Sequence, residues 1–148
     1  MTKVLTLLAA MFLASGPACA TTCWPQGGQR AQVRAAFEES KYVFSAYVLE
    51  ISQAGETPTA KVRVLQVWKG DMVVGQVLET TASESVTFMG DGVVPEAGTA
   101  LLIYTSSKLP YRLHTCSRTR ELHSATGDIP LLNKLSKKKR YKLGGKPA

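Results

Sequence analysis

The sequence predicts a mostly β fold with one short helix before the first strand and another helix near the C-terminus. Segments rich in β-branched and aromatic residues recur at short intervals, and clusters of turn-forming residues separate them. No helical pattern lies between these segments, which excludes a parallel α/β sheet because its crossovers are usually helices. Once an N-terminal leader is set aside, the 148-residue chain has the length of one domain.

The first helix and the first strand follow each other directly. The stretch RAQVRAAFEESK consists mostly of good helix formers. Four of its side chains would share one helix face, namely Val33, Ala36, Phe37 and Ser40. The next stretch, YVFSAYVLEIS, has the composition of a strand over residues 42–52, and the turn-forming cluster QAGETPT ends it.

Two further strands are expected in the middle of the chain. The stretch AKVRVLQVWKG begins with alternating side chains, with Val62 and Val64 inward and Lys61 and Arg63 outward. The alternation fails from Leu65 onward, which predicts a β-bulge or burial of both faces. A Gly-Asp pair then turns the chain, and VVGQVLETT predicts the third strand.

The later part of the chain predicts two strands and the last helix. A long connection over residues 82–99 leads to a strand over 99–106, and YRLHTCS predicts another strand. The helix is expected in ATGDIPLLNKLSKK, because Asp128 is a typical N-cap residue and Pro130 suits the first turn. Its apolar face would consist of Leu131, Leu132 and Leu135.

These elements favour a small barrel. Five strands with one helix before them and one after them fit the five-stranded Greek-key barrel called the OB-fold. We therefore expect an OB-fold-like closed barrel of five strands over residues 21–135, and a β-sandwich is the second structural possibility.

The N-terminus has the form of a secretory signal. Lys3 precedes an uncharged apolar run, and ACA at residues 18–20 has the small-x-small pattern of a cleavage site. The run is too short to span a bilayer permanently. We expect cleavage after Ala20, which would remove residues 1–20 and make the protein secreted or periplasmic. Cleavage after Ala18 is the alternative.

Removal of the signal leaves two cysteines, Cys23 and Cys116. In an oxidising compartment an even pair predicts one disulfide. Closing so long a loop is worth up to about 4–5 kcal/mol in chain-entropy models. The alternative is a zinc site that includes His114 and His123, but this spacing matches no common zinc pattern and the disulfide is favoured. No cofactor is expected.

The positive charge is concentrated at the C-terminus. The formal net charge is +7, and the seven cations after residue 133 equal that excess, since no carboxylate side chain follows Asp128. Residues 136–148 therefore predict a basic, disordered tail that could bind anionic polysaccharide or lipid. A solvated tail without a ligand is the alternative. The candidate anion-binding residues are Lys137, Lys138, Lys139 and Arg140.

Several motifs together resemble a known family. The stretches YVFSAYV, VWKGD, LLIYTS and CSRT occur in this order, and SATGDIPLL follows them. This order is similar to that of the netrin-like domain, in particular of the tissue inhibitors of metalloproteinases and their bacterial homologues. The resemblance covers nearly all of residues 21–135. It implies an OB-fold domain that inhibits a zinc metalloprotease.

In that family, inhibition depends on the first residue of the mature chain. Its free α-amine and carbonyl oxygen chelate the protease zinc, and the next side chain enters the specificity pocket. The resemblance assigns these roles to Thr21 and Thr22 of TTCWP, with Cys23 at the family's second cysteine position. The family's first cysteine is replaced by Thr21, and its bridge partner in the long connection is also absent. The Cys23–Cys116 bridge would then be the clamp of the inhibitory segment.

Other function classes are set against this prediction. The alternative function is a non-inhibitory binding module of the envelope or extracellular space that uses the basic tail. An enzyme is not expected, because neither histidine has a carboxylate at a telling spacing and no serine lies in a nucleophile elbow. We expect a monomer with no transmembrane segment and no nucleic-acid partner.

Overall fold

The computed structural model describes residues 27–52, 58–82, 95–113 and 117–142, with side chains to residue 137. Within these residues the chain forms two α-helices, six strands and a short 3₁₀ helix, Leu122–Ala125. In chain order the others are α1 (Gln29–Glu39), β1 (Tyr42–Ser52), β2 (Thr59–Lys69), β3 (Val77–Ala82), β4 (Ala100–Thr105), β5 (Tyr111–Leu113), β6 (Arg120–Glu121) and α2 (Ile129–Lys142).

The six strands form one mixed sheet in the order β5-β3-β2-β1-β4-β6. Neighbouring strands are antiparallel except β3 and β5, which are parallel. The long strand β1 pairs along its length with β2 on one side and with β4 on the other. The sheet is curled into a half-barrel.

Irregular pairing between β1 and β2 contributes to this curling. Ala46 is paired with Val64 and Ser45 with Gln66, so Leu65 has no partner on β1. Such bulges bend a strand and increase its twist. The bulge predicted from the broken alternation of β2 is therefore confirmed.

Apolar side chains fill both faces of the curled sheet. The concave side encloses one cluster, which includes Phe44, Val62 and Ile103. A second cluster lies between the other face and the helices, where Phe37 of α1 and Leu132 of α2 pack near Tyr104. Two-sided burial explains why β1 and β4 are nearly continuous apolar runs rather than alternating ones.

The predicted closed barrel of five strands is wrong. In the part of the chain that the structure describes, the sheet is a half-barrel of six strands, with β5 at one edge and β6 at the other. Strand β6 covers part of the outer edge of β4 through pairs such as Leu102–Arg120. In the described residues, β4 and β5 are joined by a side chain instead of a ladder, since the Thr105 hydroxyl donates to the Arg112 carbonyl at 2.9 Å.

Most predicted elements are present with shifted ends. The first strand has the predicted bounds, and the stretch predicted as the third strand begins with a turn, so that β3 starts only at Val77. The strand expected in YRLHTCS is described over Tyr111–Leu113, and residues 114–116 lie outside the described part. Helix α2 continues through Lys142, so residues 136–142 of the segment predicted as a disordered tail are helical.

Candidate functional site

The predicted site residues are described to different degrees. Thr21, Thr22, Cys23 and Cys116 lie outside the described residues. Lys137 lies on α2 with its side chain exposed. The other three predicted anion-binding residues, Lys138, Lys139 and Arg140, follow it in the same helix. Of the predicted sites, only the basic segment therefore lies within the described residues.

Helix α2 is attached to the domain by its apolar face. The side chain of Leu132 is fully buried in the cluster between helices and sheet. Leu131 and Leu135 are partly buried against the same cluster. This confirms the apolar face predicted from the three leucines. It also fixes the half of the helix that precedes the consecutive cations.

The start of α2 is held by a buried carboxylate. Asp128, which directly precedes the helix, is fully buried. Arg118 donates to both of its oxygens, from Nε to Oδ2 at 2.9 Å and from Nη2 to Oδ1 at 3.0 Å. Gln29 of α1 donates to Oδ1 at 3.1 Å, and the Tyr104 hydroxyl donates to Oδ2 at 3.4 Å. We call Asp128, Arg118, Arg120, Gln29 and Tyr104 the Asp128 cluster.

Arg120 adds charge to this cluster with poorer geometry. Its Nη2 lies 2.6 Å from Asp128 Oδ1, which is an ion-pair distance. Its buried Nε and Nη2 make no well-aligned hydrogen bond. Two guanidinium groups therefore face one carboxylate. Arg118 forms two aligned hydrogen bonds with it, whereas Arg120 forms none.

The cluster changes the ionisation of its members. Burial raises the pKa of Asp128, but the hydrogen bonds from Arg118 and Gln29 and the nearby guanidinium charges outweigh it, so this pKa lies below its ordinary value. Burial raises the pKa of Tyr104 well above its ordinary value, and the charge of Asp128 raises it further. The aspartate is therefore ionised and the tyrosine neutral near neutral pH.

The sequence indicates Asp128 as a helix cap but does not reveal its other contacts. The residue does occupy the position before α2, as predicted for an N-cap. Its carboxylate binds groups from α1, β4 and the segment around β6, which no local pattern reveals. The backbone of Arg118 is unusual at this site, because its φ of 61° is left-handed, which is uncommon outside glycine. The surrounding contacts hold this strained residue in place.

Asn133 attaches the middle of α2 to strand β2. Its Oδ1 accepts from Trp68 Nε1 at 2.7 Å and from Gln66 Nε2 at 3.4 Å. Because Asp128 touches Tyr104 of β4, the helix crosses the sheet from β4 over β1 to β2. Lys134 and Lys137, which follow Asn133 on this helix, are exposed.

The described residues that flank the two predicted bridge cysteines lie close together. Gln32 of α1 donates from Nε2 to the Gly27 carbonyl at 3.1 Å, and Arg118 donates from Nη1 to Gln32 Oε1 at 3.1 Å. Gly27 follows Cys23 by four residues, and Arg118 follows Cys116 by two. We call Gly27, Gln32 and Arg118 the cysteine junction.

Other chemistry-bearing groups are few in the described part of the chain. No set of three or more metal-binding His, Cys, Asp or Glu side chains occurs there. His123 lies 3.0 Å from Glu121 in an exposed pair. None of the described helices combines the length and apolar character that crossing a membrane requires.

Neither models of known protein families nor curated proteins match this chain. The residues of the chain itself are therefore the basis for a functional assignment.

Proposed function

We propose that this protein is a secreted or periplasmic binding module that attaches to anionic surfaces through the cations of α2. The supporting observation is that these cations stand on a helix fixed to the domain at Asp128, Leu132 and Asn133. No carboxylate side chain follows Asp128 to compensate them. The surface of the module that meets the anion is thus the part of α2 from Lys134 onward.

Attachment to the domain strengthens such binding. Cations on a helix lose less conformational freedom on binding than cations on a disordered tail, so more of the Coulomb attraction is retained as affinity. A Lys or Arg close to an anionic lipid surface contributes about 1 kcal/mol. Basic residues in the last turn also stabilise the helix, because they interact favourably with the negative end of its dipole. The experiment must separate this structural role from binding.

A pair of matched variants tests this proposal. Lys137→Gln with Lys138→Gln removes two cations from α2, and Arg30→Gln with Arg34→Gln removes two exposed cations from α1. We expect only the α2 pair to reduce strongly the salt concentration that elutes the protein from immobilised heparin. Equal losses from both pairs would mean that net charge alone matters, and the assignment to α2 would be wrong.

A second candidate function is inhibition of a zinc metalloprotease. The observation that favours it is the cysteine junction, which brings together the chain segments that lead to Cys23 and Cys116. Gly27 is four residues after Cys23, so their Cα atoms are at most about 14 Å apart. A disulfide needs its Cα atoms within about 7 Å of each other. The junction is therefore compatible with the Cys23–Cys116 bridge.

In this candidate function the bridge presents the new N-terminus. The α-amine and carbonyl oxygen of Thr21 would chelate the zinc of the protease, and the side chain of Thr22 would enter its specificity pocket. An unperturbed α-amine has a pKa near 8, so a zinc ion can displace its proton. With only Cys23 to tether it, this segment loses more freedom on binding than one held by two bridges, which weakens inhibition.

An N-terminal extension tests the inhibitor proposal. One alanine placed before Thr21 moves the free amine away from the zinc, so inhibition should be lost. Thr21→Ala is the control, because it keeps both chelating atoms and should still inhibit. Undiminished inhibition by the extended protein would rule out the amine mechanism, and absence of inhibition by the unaltered protein would rule out the function.

We also propose that the half-barrel is related to the OB-fold of netrin-like domains. In support, β4 lies beside β1, β3 lies between β2 and β5, and the Thr105–Arg112 contact joins β4 to β5 across the open side. An experimental structure with β4 and β5 well separated would contradict this relationship.

A further inference from the structure

Four apolar side chains are exposed around the connection between β2 and β3. Val73 and Val74 are 68% and 63% exposed, and Leu65 and Val77 are 43% and 49% exposed. We call these four residues the hairpin tip. Single exposed apolar residues are common, but neighbouring ones that form a patch often mark a binding surface.

Hydrogen bonds hold the hairpin tip in a defined turn. Gln76 N donates to the Val73 carbonyl at 3.1 Å, and Val73 N donates to Gln76 Oε1 at 3.1 Å. Val64 of β2 fixes the other side, because its carbonyl accepts from Gly75 N at 2.8 Å and its N–H donates to the Gln76 carbonyl at 2.9 Å. The two valines are thus presented at a fixed place and not on a loose loop.

Leu65 of the hairpin tip directly precedes a residue that contacts the cationic helix. Leu65 is the bulged residue of β2, and the next residue, Gln66, donates to Asn133 of α2. Lys134 directly follows Asn133, and Lys137 lies one turn further along. Both lysines are exposed. One stretch of β2 therefore contacts the helix and the turn that carries the two valines.

The charges around the hairpin tip favour an anionic partner. Arg63 is exposed and paired with Val77 across the strands. Asp71 in the connection and Glu79 on β3 are the nearby carboxylates, and both are exposed. The cations Arg63, Lys134 and Lys137 already outnumber these two carboxylates, and further cations follow on α2. The balance at this end of the molecule is positive.

We propose that the hairpin tip inserts into the interface of an anionic lipid bilayer while the cations of α2 contact the headgroups. This inference rests on the proposed anion binding and narrows its ligand to lipid. A polysaccharide offers charges but no apolar region for the valines, whereas a bilayer interface offers both. Apolar insertion and electrostatic attraction act together in peripheral membrane binding.

The test uses the mature chain from Thr21 to Ala148 and two kinds of vesicle. Vesicles of phosphatidylcholine with phosphatidylglycerol provide an anionic surface, and pure phosphatidylcholine vesicles provide a neutral one. The variant is Val73→Ser with Val74→Ser. The control is Ile51→Ser. This residue is apolar and 40% exposed, and it lies outside the hairpin tip, near the end of β1, where it pairs with Ala60 of β2. Thermal unfolding verifies that each variant is folded, and heparin retention is measured in parallel.

We expect the double serine variant to bind anionic vesicles about tenfold more weakly, since it loses most of the apolar area that inserts. The Ile51→Ser control and the heparin retention of the double variant should stay unchanged. Unchanged vesicle binding by the double variant would overturn insertion of the tip while leaving anion binding intact. Heparin binding without vesicle binding by the unaltered protein would show a polysaccharide ligand, and no binding to either would also overturn the proposed function.

Discussion

Asp128 is the residue whose loss should cost the most stability. Its buried carboxylate compensates Arg118 and Arg120, so Asp128→Asn leaves two guanidinium groups without a counter-charge. Removing one partner of a buried ion pair costs about 3–5 kcal/mol. We expect a loss of this size in the free energy of unfolding measured with urea.

The matched control for this prediction is Glu121→Gln. Glu121 is partly exposed and pairs with the exposed His123, so the free energy of unfolding should change by no more than about 0.5 kcal/mol. A similar small change for Asp128→Asn would show that the buried cluster does not stabilise the fold.

The same carboxylate predicts how stability depends on pH. The pKa of Asp128 is lower in the folded than in the unfolded state, so the folded state binds fewer protons in acid. Its contribution is fully present above the unfolded value of about 3.9 and is lost as pH falls through the lower, folded value. Urea unfolding from neutral pH down to about pH 3 should show part of this loss in the unaltered protein and not in Asp128→Asn.

At the scale of elements, Asn133 is the contact that fixes α2 on β2. Asn133→Ala leaves the indole N–H of the buried Trp68 without its 2.7 Å acceptor. An unsatisfied buried donor costs about 1–3 kcal/mol, and we expect that loss in chemical unfolding. Lys134→Ala, at the exposed neighbouring position, should change stability by less than about 0.5 kcal/mol. Equal effects would mean that the contact between Trp68 and Asn133 is dispensable.

Local composition was enough to predict most of these elements. β-Branched and aromatic runs predicted five of the strands, β1 to β5, and the leucine spacing predicted the face of α2 that packs on the domain. The two-residue strand β6 escaped prediction because it depends on pairing with Leu101 and Leu102 rather than on its own sequence. VVGQ was assigned to a strand because valines favour strands, whereas contacts with Val64 make it a turn.

The candidate sites show the same division between local and long-range information. The run of cations is visible as composition, but the stretch predicted to contain the helix ends at residue 138, and the continuation of the helix to Lys142 was not predicted. The Asp128 cluster depends on groups far apart in sequence, such as Gln29 with Asp128. The hairpin tip depends on a turn that the valine-rich composition does not predict. Barrel closure also depends on long-range pairing, and it was predicted wrongly.

For the whole molecule, the charge separation is the property that connects structure with function. The cations responsible for the net charge of +7 follow residue 133, whereas the rest of the chain is balanced. Helix α2 begins at the buried Asp128, and its Asn133 contacts Gln66 of β2, the residue next to Leu65 of the hairpin tip. We therefore predict that one end of the molecule is both cationic and partly apolar.

The most direct test of this account is the salt dependence of binding to anionic vesicles. The mature protein should bind vesicles that contain phosphatidylglycerol at low ionic strength and dissociate as salt rises, because surface charges are screened over about 10 Å at 0.1 M salt. Lys137→Gln with Lys138→Gln should weaken binding and flatten its dependence on salt. Binding that is equal on neutral and anionic vesicles, or that is unaffected by these two substitutions, would contradict the central claim that α2 recognises an anionic surface.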